Sequence, residues 1–291
     1  MTQVAFVFAG QGAQSVGMGR ALCDRFPAAL ALFARASAVL GFDLAKACFE
    51  GPQEHLNRTD VCQPALLVHG IAALEALPEK PAVAAAAGLS LGEYTACVFA
   101  GALDFETAVR LVKLRGQWMQ EACDAAPSGM VSVLMLDREK VAQACREAGG
   151  TVGIANINAP GQIVISGENE ALARAVEKAK ALGAKRCLPL KVAGAYHSPL
   201  MKPAQDRMQA ELAAATFVAP RVPVVCNVDA TPTTDPERLR RNLSVQITSS
   251  VLWEDSIRAI GARKYWEFGP GRILAGLIKK IDDKAEVESI E

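Results

Sequence analysis

The sequence predicts an α/β fold with a smaller α/β unit inserted into it, on three observations. The first is an unbroken apolar run, Val4-Ala5-Phe6-Val7-Phe8, near the start of the chain. Apolar residues without polar alternation mark a strand buried on both faces, the pattern of a parallel sheet covered by helices. The second is Gly88-Leu89-Ser90-Leu91-Gly92, which joins a small apolar stretch (81–87) to a segment able to form a helix (93–100). Gly-x-Ser-x-Gly at a strand-to-helix junction is the mark of a nucleophile elbow. The sharp turn strains the serine, and the flanking glycines let neighbouring backbone pass close. The hydroxyl then stands above a helix N-terminus, where negative charge is favoured. Taken alone, the five residues also fit an inert serine in a glycine-bounded turn. The third observation is a change of rhythm at 127–195, where elements follow the order βαββαβ, which is ferredoxin-like.

A chain of 291 residues suffices for one large domain or two unequal ones. Its 51% hydrophobic content argues for a globular protein rather than a disordered one. Zero net charge argues against a broad nucleic-acid footprint. No apolar run is long enough to span a bilayer, and no secretory signal is visible at the first residues. The eight cysteines form no Cys-x-x-Cys pair, and none has a histidine at metal spacing. They read as small core residues in a reducing compartment, so the expected location is cytoplasmic and no metal is expected.

The elements follow in order. After the first strand comes Ala9-Gly10-Gln11-Gly12-Ala13-Gln14. It lacks the third glycine of a dinucleotide fingerprint, but its backbone N–H groups can serve an oxyanion. Residues 20–48 read as helical, Gly51-Pro52 as a break, 57–60 as a turn, and 64–77 as a heavily buried helix. The elbow strand and its helix come next, stopped by Gly101, and a helix covers 105–122. Ala126-Pro127-Ser128-Gly129 leads into the inserted unit: strand 130–136, a helix over 137–148 capped by Asp137, strands 152–157 and 162–166, helix 168–182 and strand 185–192. That unit carries nine Lys/Arg against six Asp/Glu, an excess that an acidic partner could use. Ser198 and Pro199 read as the cap and first residue of a helix. Strand 222–228, helix 235–244, a helix from Trp253, a final strand at 265–268 and helix 273–281 complete the main domain, with a fraying tail after Asp282. The division is thus 1–126 with 196–291 for the core, and 127–195 for the inserted unit.

Two side chains far from the elbow carry chemistry. On helix 105–122, the same-face neighbours of Arg115 are Ala108, Leu111, Val112, Trp118, Met119 and Ala122, all apolar. A guanidinium turned inward needs an anion. A structural ion pair or snorkelling to the surface would meet that need. So would a substrate carboxylate held in the two-pronged fork. A serine nucleophile also needs a base, and the chain has three histidines. His69 lies mid-helix among apolar residues, and His55 in a polar loop. His197 sits at a loop edge in Gly194-Ala195-Tyr196-His197-Ser198-Pro199, after the serine, as in α/β-hydrolases. His197 is the expected base. Asp206, Asp229 and Asp255 are candidate orienters, and a backbone carbonyl or side-chain amide could fix the tautomer instead.

These residues are joined by Gln63-Pro64-Ala65, Asn156, Gln162-Ile163-Val164-Ile165-Ser166-Gly167, Gln246 and Glu267-Phe268-Gly269-Pro270-Gly271. Together they resemble the malonyl-CoA:acyl-carrier-protein transacylases of fatty-acid synthesis and the acyltransferase domains of polyketide synthases. The resemblance runs in order over nearly the whole chain. It implies an α/β-hydrolase-like core with a parallel sheet plus an inserted ferredoxin-like subdomain. It implies that Ser90 attacks malonyl-CoA with His197 as general base, and that the N–H groups of Gln11 and Leu91 form the oxyanion hole. Arg115 would hold the malonyl carboxylate, and a main-chain carbonyl near Gln246 would orient His197. The malonyl group would pass through a serine ester to the phosphopantetheine thiol of acyl carrier protein, by ping-pong chemistry. No cofactor is implied, and neither nucleic acid nor membrane is an expected partner.

Two positions depart from the family pattern: Leu89, where a histidine usually precedes the nucleophile, and Tyr196, where phenylalanine often precedes the base. An aromatic at the latter goes with malonyl rather than branched groups. The competing functions are a trans-acting polyketide acyltransferase, an acyl-thioester serine hydrolase, and non-catalytic carrier binding. Arg115 favours transfer of a dicarboxylic acyl group over hydrolysis. The presence of both Ser90 and His197 opposes a purely binding role.

Overall fold

Alternation decides where the residues of the first strand go, although all are apolar. Val4, Phe6 and Phe8 pack into one buried layer, while Ala5 and Val7 enter a second with Trp253, Ile257, Leu274 and Ile278. The computed structural model describes residues 4–291. Its strands are β1 (Val4–Phe8), β2 (Val83–Gly88), β3 (Ser128–Leu134), β4 (Val152–Ala159), β5 (Gln162–Glu168), β6 (Arg186–Pro189), β7 (Val224–Val225), β8 (Pro232–Thr233), β9 (Lys264–Phe268) and β10 (Glu286–Ile290). The main sheet has the order β10-β9-β1-β2-β7-β8. It is parallel except for the β7–β8 pair. The loops after β1, β2 and β7 leave from the carboxyl ends of parallel strands, where open α/β sheets place their sites.

The second sheet, from residues 128–189, has the order β4-β5-β3-β6 with every pair antiparallel. Helices Arg138–Ala148 and Asn169–Ala181 cover one face, where Val131, Val133, Ile163 and Ile165 meet Val141, Ala144, Leu172 and Ala175. The ferredoxin-like order is therefore present. This sheet is stitched to the segment before helix Trp253–Ile260 of the main domain: Ile157 N–H donates to the Val251 carbonyl at 2.9 Å, and Val251 N–H to the Ala155 carbonyl at 2.8 Å.

Several boundaries differ from the sequence reading, for local reasons. The segment 20–48 is three helices: Arg20–Arg25, Pro27–Leu40 and Leu44–Glu50. Pro27 has no N–H to continue a helix and opens the second, and Gly41 ends it at φ 77°. The helix expected from Pro64 begins at Thr59 and carries Pro64 inside it, its apolar faces buried on all sides. Strand 222–228 contracts to β7, because Asn227 N–H turns to the Glu93 carboxylate instead of a ladder. His55 lies on a short helix, Gln53–Asn57, rather than in a loop. The tail does not fray. Val287 pairs with Tyr265 in a parallel edge strand whose Glu286 and Glu288 disguise it as surface, so β9 is not the last strand. Ser198 does cap the turn Pro199–Met201, which leads into helix Lys202–Ala214.

Candidate active site

The elbow has the backbone its glycines foretell. Ser90 sits at φ 53°, a left-handed conformation that costs a non-glycine residue on the order of 1–3 kcal/mol. A Cβ on Gly88 would lie 1.9 Å from the carbonyl carbon of Gly92, and one on Gly92 would lie 2.2 Å from the Phe8 carbonyl oxygen. Neither contact can relax without moving backbone, so the turn tolerates no side chain at either position.

Ser90 Oγ lies 2.8 Å from His197 Nε2. The other ring nitrogen, Nδ1, faces the carbonyls of Gln246 at 2.9 Å and Ser249 at 3.2 Å. Carbonyls only accept, so Nδ1 carries the hydrogen and Nε2 keeps its lone pair for the serine proton. The candidate aspartates are engaged elsewhere: Asp206 with Lys202, Asp229 with Arg238 and Asn242, and Asp255 with Arg138. Burial, and then the Arg115 charge, push the His197 pKa down to about 4 against the pull of the two carbonyls. The ring is neutral at pH 7. His69 is buried mid-helix, as expected, and burial holds it at about 4 too.

Arg115 is 1% exposed, and every acceptor on it is neutral. Nη1 donates to Gln63 Oε1 at 2.7 Å. Nη2 donates to Gln246 Oε1 and Ser90 Oγ, both at 3.0 Å. Its Nε is buried without a partner. Burial lowers its pKa, and the Tyr94 ring lies 5.8 Å from the guanidinium carbon. The structural ion pair weighed from the sequence is not among these contacts. A buried cation facing amides and a serine oxygen is electrostatically unfinished, and a carboxylate would complete it.

Gln11 follows β1, and Leu91 precedes the first residue of helix Gly92–Phe99. Among the described residues neither backbone N–H has an intramolecular acceptor. Both residues line a cleft of about 780 Å³ together with Ser90, Arg115, Tyr196 and His197, and with Met130, Asn156 and Leu190 from the inserted unit. Backbone N–H groups without an acceptor, on residues lining the same cleft as the serine, suit a developing oxyanion. Leu89 lines the same cleft. Tyr196 is buried, and its hydroxyl is 2.8 Å from Thr59 Oγ1. A second cavity, about 650 Å³, includes Val83 at the far end of β2 and holds none of these residues. Of its cations, Arg35 and Lys80 are paired with Glu106 and Glu75, and Arg221 donates to the Phe99 carbonyl.

Four side chains in the site were not assigned from sequence. Gln63 and Gln246 stand in motifs that carried the resemblance, but only the Gln246 main chain was expected to act. Asn227 and Glu93 bind the elbow from behind. Glu93 is wholly buried, and burial pushes its pKa up to about 7 despite donors from Asn227 and Gln246. Glu93 stands directly after the second elbow glycine, but no role followed from that place.

A serine–histidine pair on the elbow of a parallel sheet, with free N–H groups and a cation beside it, defines a serine enzyme of acyl-transfer type. The acyl transferase domain family matches residues 5–266. A malonyl CoA-acyl carrier protein transacylase of Salmonella typhimurium is 46% identical over 292 aligned residues, covering 97% of this chain and 94% of that protein. An acyl carrier protein S-malonyltransferase from Vibrio cholerae superposes with a TM-score of 0.96 at 42% identity, covering 100% and 97% of the two chains. A malonyl-transacylase solved in complex with its holo type II PKS acyl-carrier protein also gives 0.96, at 43% identity and 99% and 96% coverage. The chain belongs to the acyl transferase domain family, among the malonyl CoA-acyl carrier protein transacylases. Among the described residues no cluster of three His, Cys, Asp or Glu is placed to hold a metal. No single helix there is long and apolar enough to cross a membrane.

Proposed function

We propose that the protein moves the malonyl group from malonyl-CoA to the phosphopantetheine thiol of acyl carrier protein through an ester on Ser90. The observation that carries this reading is Arg115, a buried cation with only neutral acceptors, 3.0 Å from the serine oxygen. In the reading, its fork takes the malonyl carboxylate and sets the thioester carbonyl against Ser90. Ser90 Oγ gives its proton to His197 Nε2 and bonds to the carbonyl carbon. The N–H groups of Gln11 and Leu91 take the oxyanion. The intermediate collapses, the C–S bond breaks, and His197 returns the proton to the departing CoA sulfur. The carrier thiol then runs the same steps in reverse: it gives its proton to His197, attacks the ester, and releases Ser90. Side chains and backbone supply all of this chemistry, so the reading calls for no cofactor.

The same reading divides the chain into a catalytic core, 1–126 with 196–291, and an inserted unit, 127–195, that walls the cleft. It also puts the protein in the cytoplasm, in keeping with eight free cysteines. Fatty-acid synthesis is the process it would supply. A polyketide carrier is the second reading, favoured by the similarity to the transacylase solved with a type II PKS carrier.

The test mixes the protein with labelled malonyl-CoA, with and without holo carrier of each kind. Label on the carrier, with free malonate at least about tenfold slower, is the expected result. Free malonate at a comparable rate would make the protein a thioester hydrolase.

A further inference from the structure

We propose that Glu93 is a positioning residue whose buried carboxylate joins the elbow, Asn227 and Gln246 into one hydrogen-bonded unit that aligns Ser90, His197 and Arg115. The inference rests on the acyl-transfer reading of the site.

Glu93 lies in the first turn of the elbow helix, three residues after Ser90, and is not part of the cleft wall. Its Oε2 accepts from the backbone N–H of Asn227 at 3.0 Å and from Gln246 Nε2 at 2.7 Å. Both partners grip the elbow. Asn227 Oδ1 accepts from Ser90 N–H at 2.7 Å, while its Nδ2 donates to the Gly88 carbonyl at 2.8 Å, so one amide spans the turn. Gln246 Nε2 also donates to the Ser90 carbonyl at 3.0 Å. The strained serine is thus held through both of its backbone polar groups. Gln246 extends the unit to the other two residues: its main-chain carbonyl accepts from His197 Nδ1, and its Oε1 from Arg115 Nη2.

A carboxyl group suits the hub. Its Oε2 accepts from both donors and so fixes their direction, while Oε1 is buried without a partner; burial raises the pKa to about 7, so near neutrality the group is only partly charged. Removing it leaves the buried Asn227 N–H without an acceptor and takes from Gln246 Nε2 its shortest bond, leaving that amide held by the Ser90 carbonyl and Arg115. The hub's bonds run to the serine backbone and the histidine-orienting residue rather than into the apolar core. Its loss should therefore displace reacting atoms, and a misplacement of about 1 Å can cost on the order of 10²-fold in rate. A purely structural Glu93 would instead lower the melting temperature and leave the rate per folded molecule unchanged.

The experiment measures single-turnover formation of the malonyl ester, KM for malonyl-CoA and thermal melting. It compares wild type with Glu93→Ala, Glu93→Gln and Asn227→Ala. The expected result is an ester-forming rate constant lower by about 10²-fold in Glu93→Ala and Asn227→Ala, with KM within about threefold. The double variant Glu93→Ala/Asn227→Ala, measured alongside, should be little worse than either single one, because both residues act on the same serine backbone. Glu93→Gln keeps an acceptor oxygen and should recover about tenfold or more of the loss. A normal rate constant in folded Glu93→Ala, or a Glu93→Gln variant as slow as Glu93→Ala, would overturn the proposal. Should Glu93→Ala not fold, Glu93→Asp takes its place: its shorter side chain cannot reach both the Asn227 N–H and Gln246 Nε2, and a normal rate constant in it overturns the proposal. Wild type that never acquires the ester would instead reject the acyl-transfer reading itself.

Discussion

Arg115→Ala is expected to lower kcat/KM for malonyl-CoA on the order of 10³-fold while costing acetyl-CoA turnover no more than about tenfold. The first figure follows from breaking a buried charged pair, roughly 3–5 kcal/mol, at about 1.4 kcal/mol per factor of ten. The acetyl group has no carboxylate, so its smaller loss reflects only the contacts Arg115 makes with Ser90 Oγ and Gln246. Arg115→Lys should fall between, since it keeps the charge but not the fork. Steady-state kinetics with both thioesters check this. Equal losses on the two substrates would make Arg115 a structural residue.

The second large effect concerns His197. Its replacement by alanine removes the base, which should slow ester formation by about 10²–10⁴-fold. The wild-type pH profile is the sharper test. A histidine serves as base only when neutral, and its ordinary pKa is 6.5, whereas burial and the Arg115 charge bring this one to about 4. The acid limb of kcat/KM should therefore lie well below pH 6.5, with activity sustained through pH 5–6 where an ordinary histidine would be largely protonated. In Arg115→Ala, assayed with acetyl-CoA, the repulsive charge is gone and the limb should move up. Burial remains, so it should stop short of 6.5. A wild-type limb at 6.5 would contradict the described environment.

The elbow and its partners were legible in the sequence because their chemistry is written in residue type. Glycines at 88 and 92 mark a turn too tight for a Cβ, as the backbone contacts there show, and the strand and helix on either side make that turn an elbow. Arg115 could be read as inward-facing from helical periodicity alone. What it touches could not, because Gln63 and Gln246 lie 52 and 131 residues away in sequence. Asn227 was hidden for a related reason: read inside strand 222–228, it gave no sign of its partners Ser90 and Gly88, which lie 137 and 139 residues away. Strand β10 was missed because an edge strand defends itself with charge, and the alternating glutamates that do so look like a solvated tail. The inserted unit was read through its order of elements, since both of its helices have a polar face and strands β3 and β5 carry alternating apolar residues into its core.

The central claim is that the acyl group rests on Ser90. The direct measurement is the intact mass of the protein after mixing with malonyl-CoA without carrier, for wild type and for Ser90→Ala. One malonyl group is expected on wild type, lost when holo carrier protein is added and recovered on the carrier, and none on Ser90→Ala. A malonylated Ser90→Ala protein would contradict the claim, as would wild type that transfers malonyl without ever carrying it.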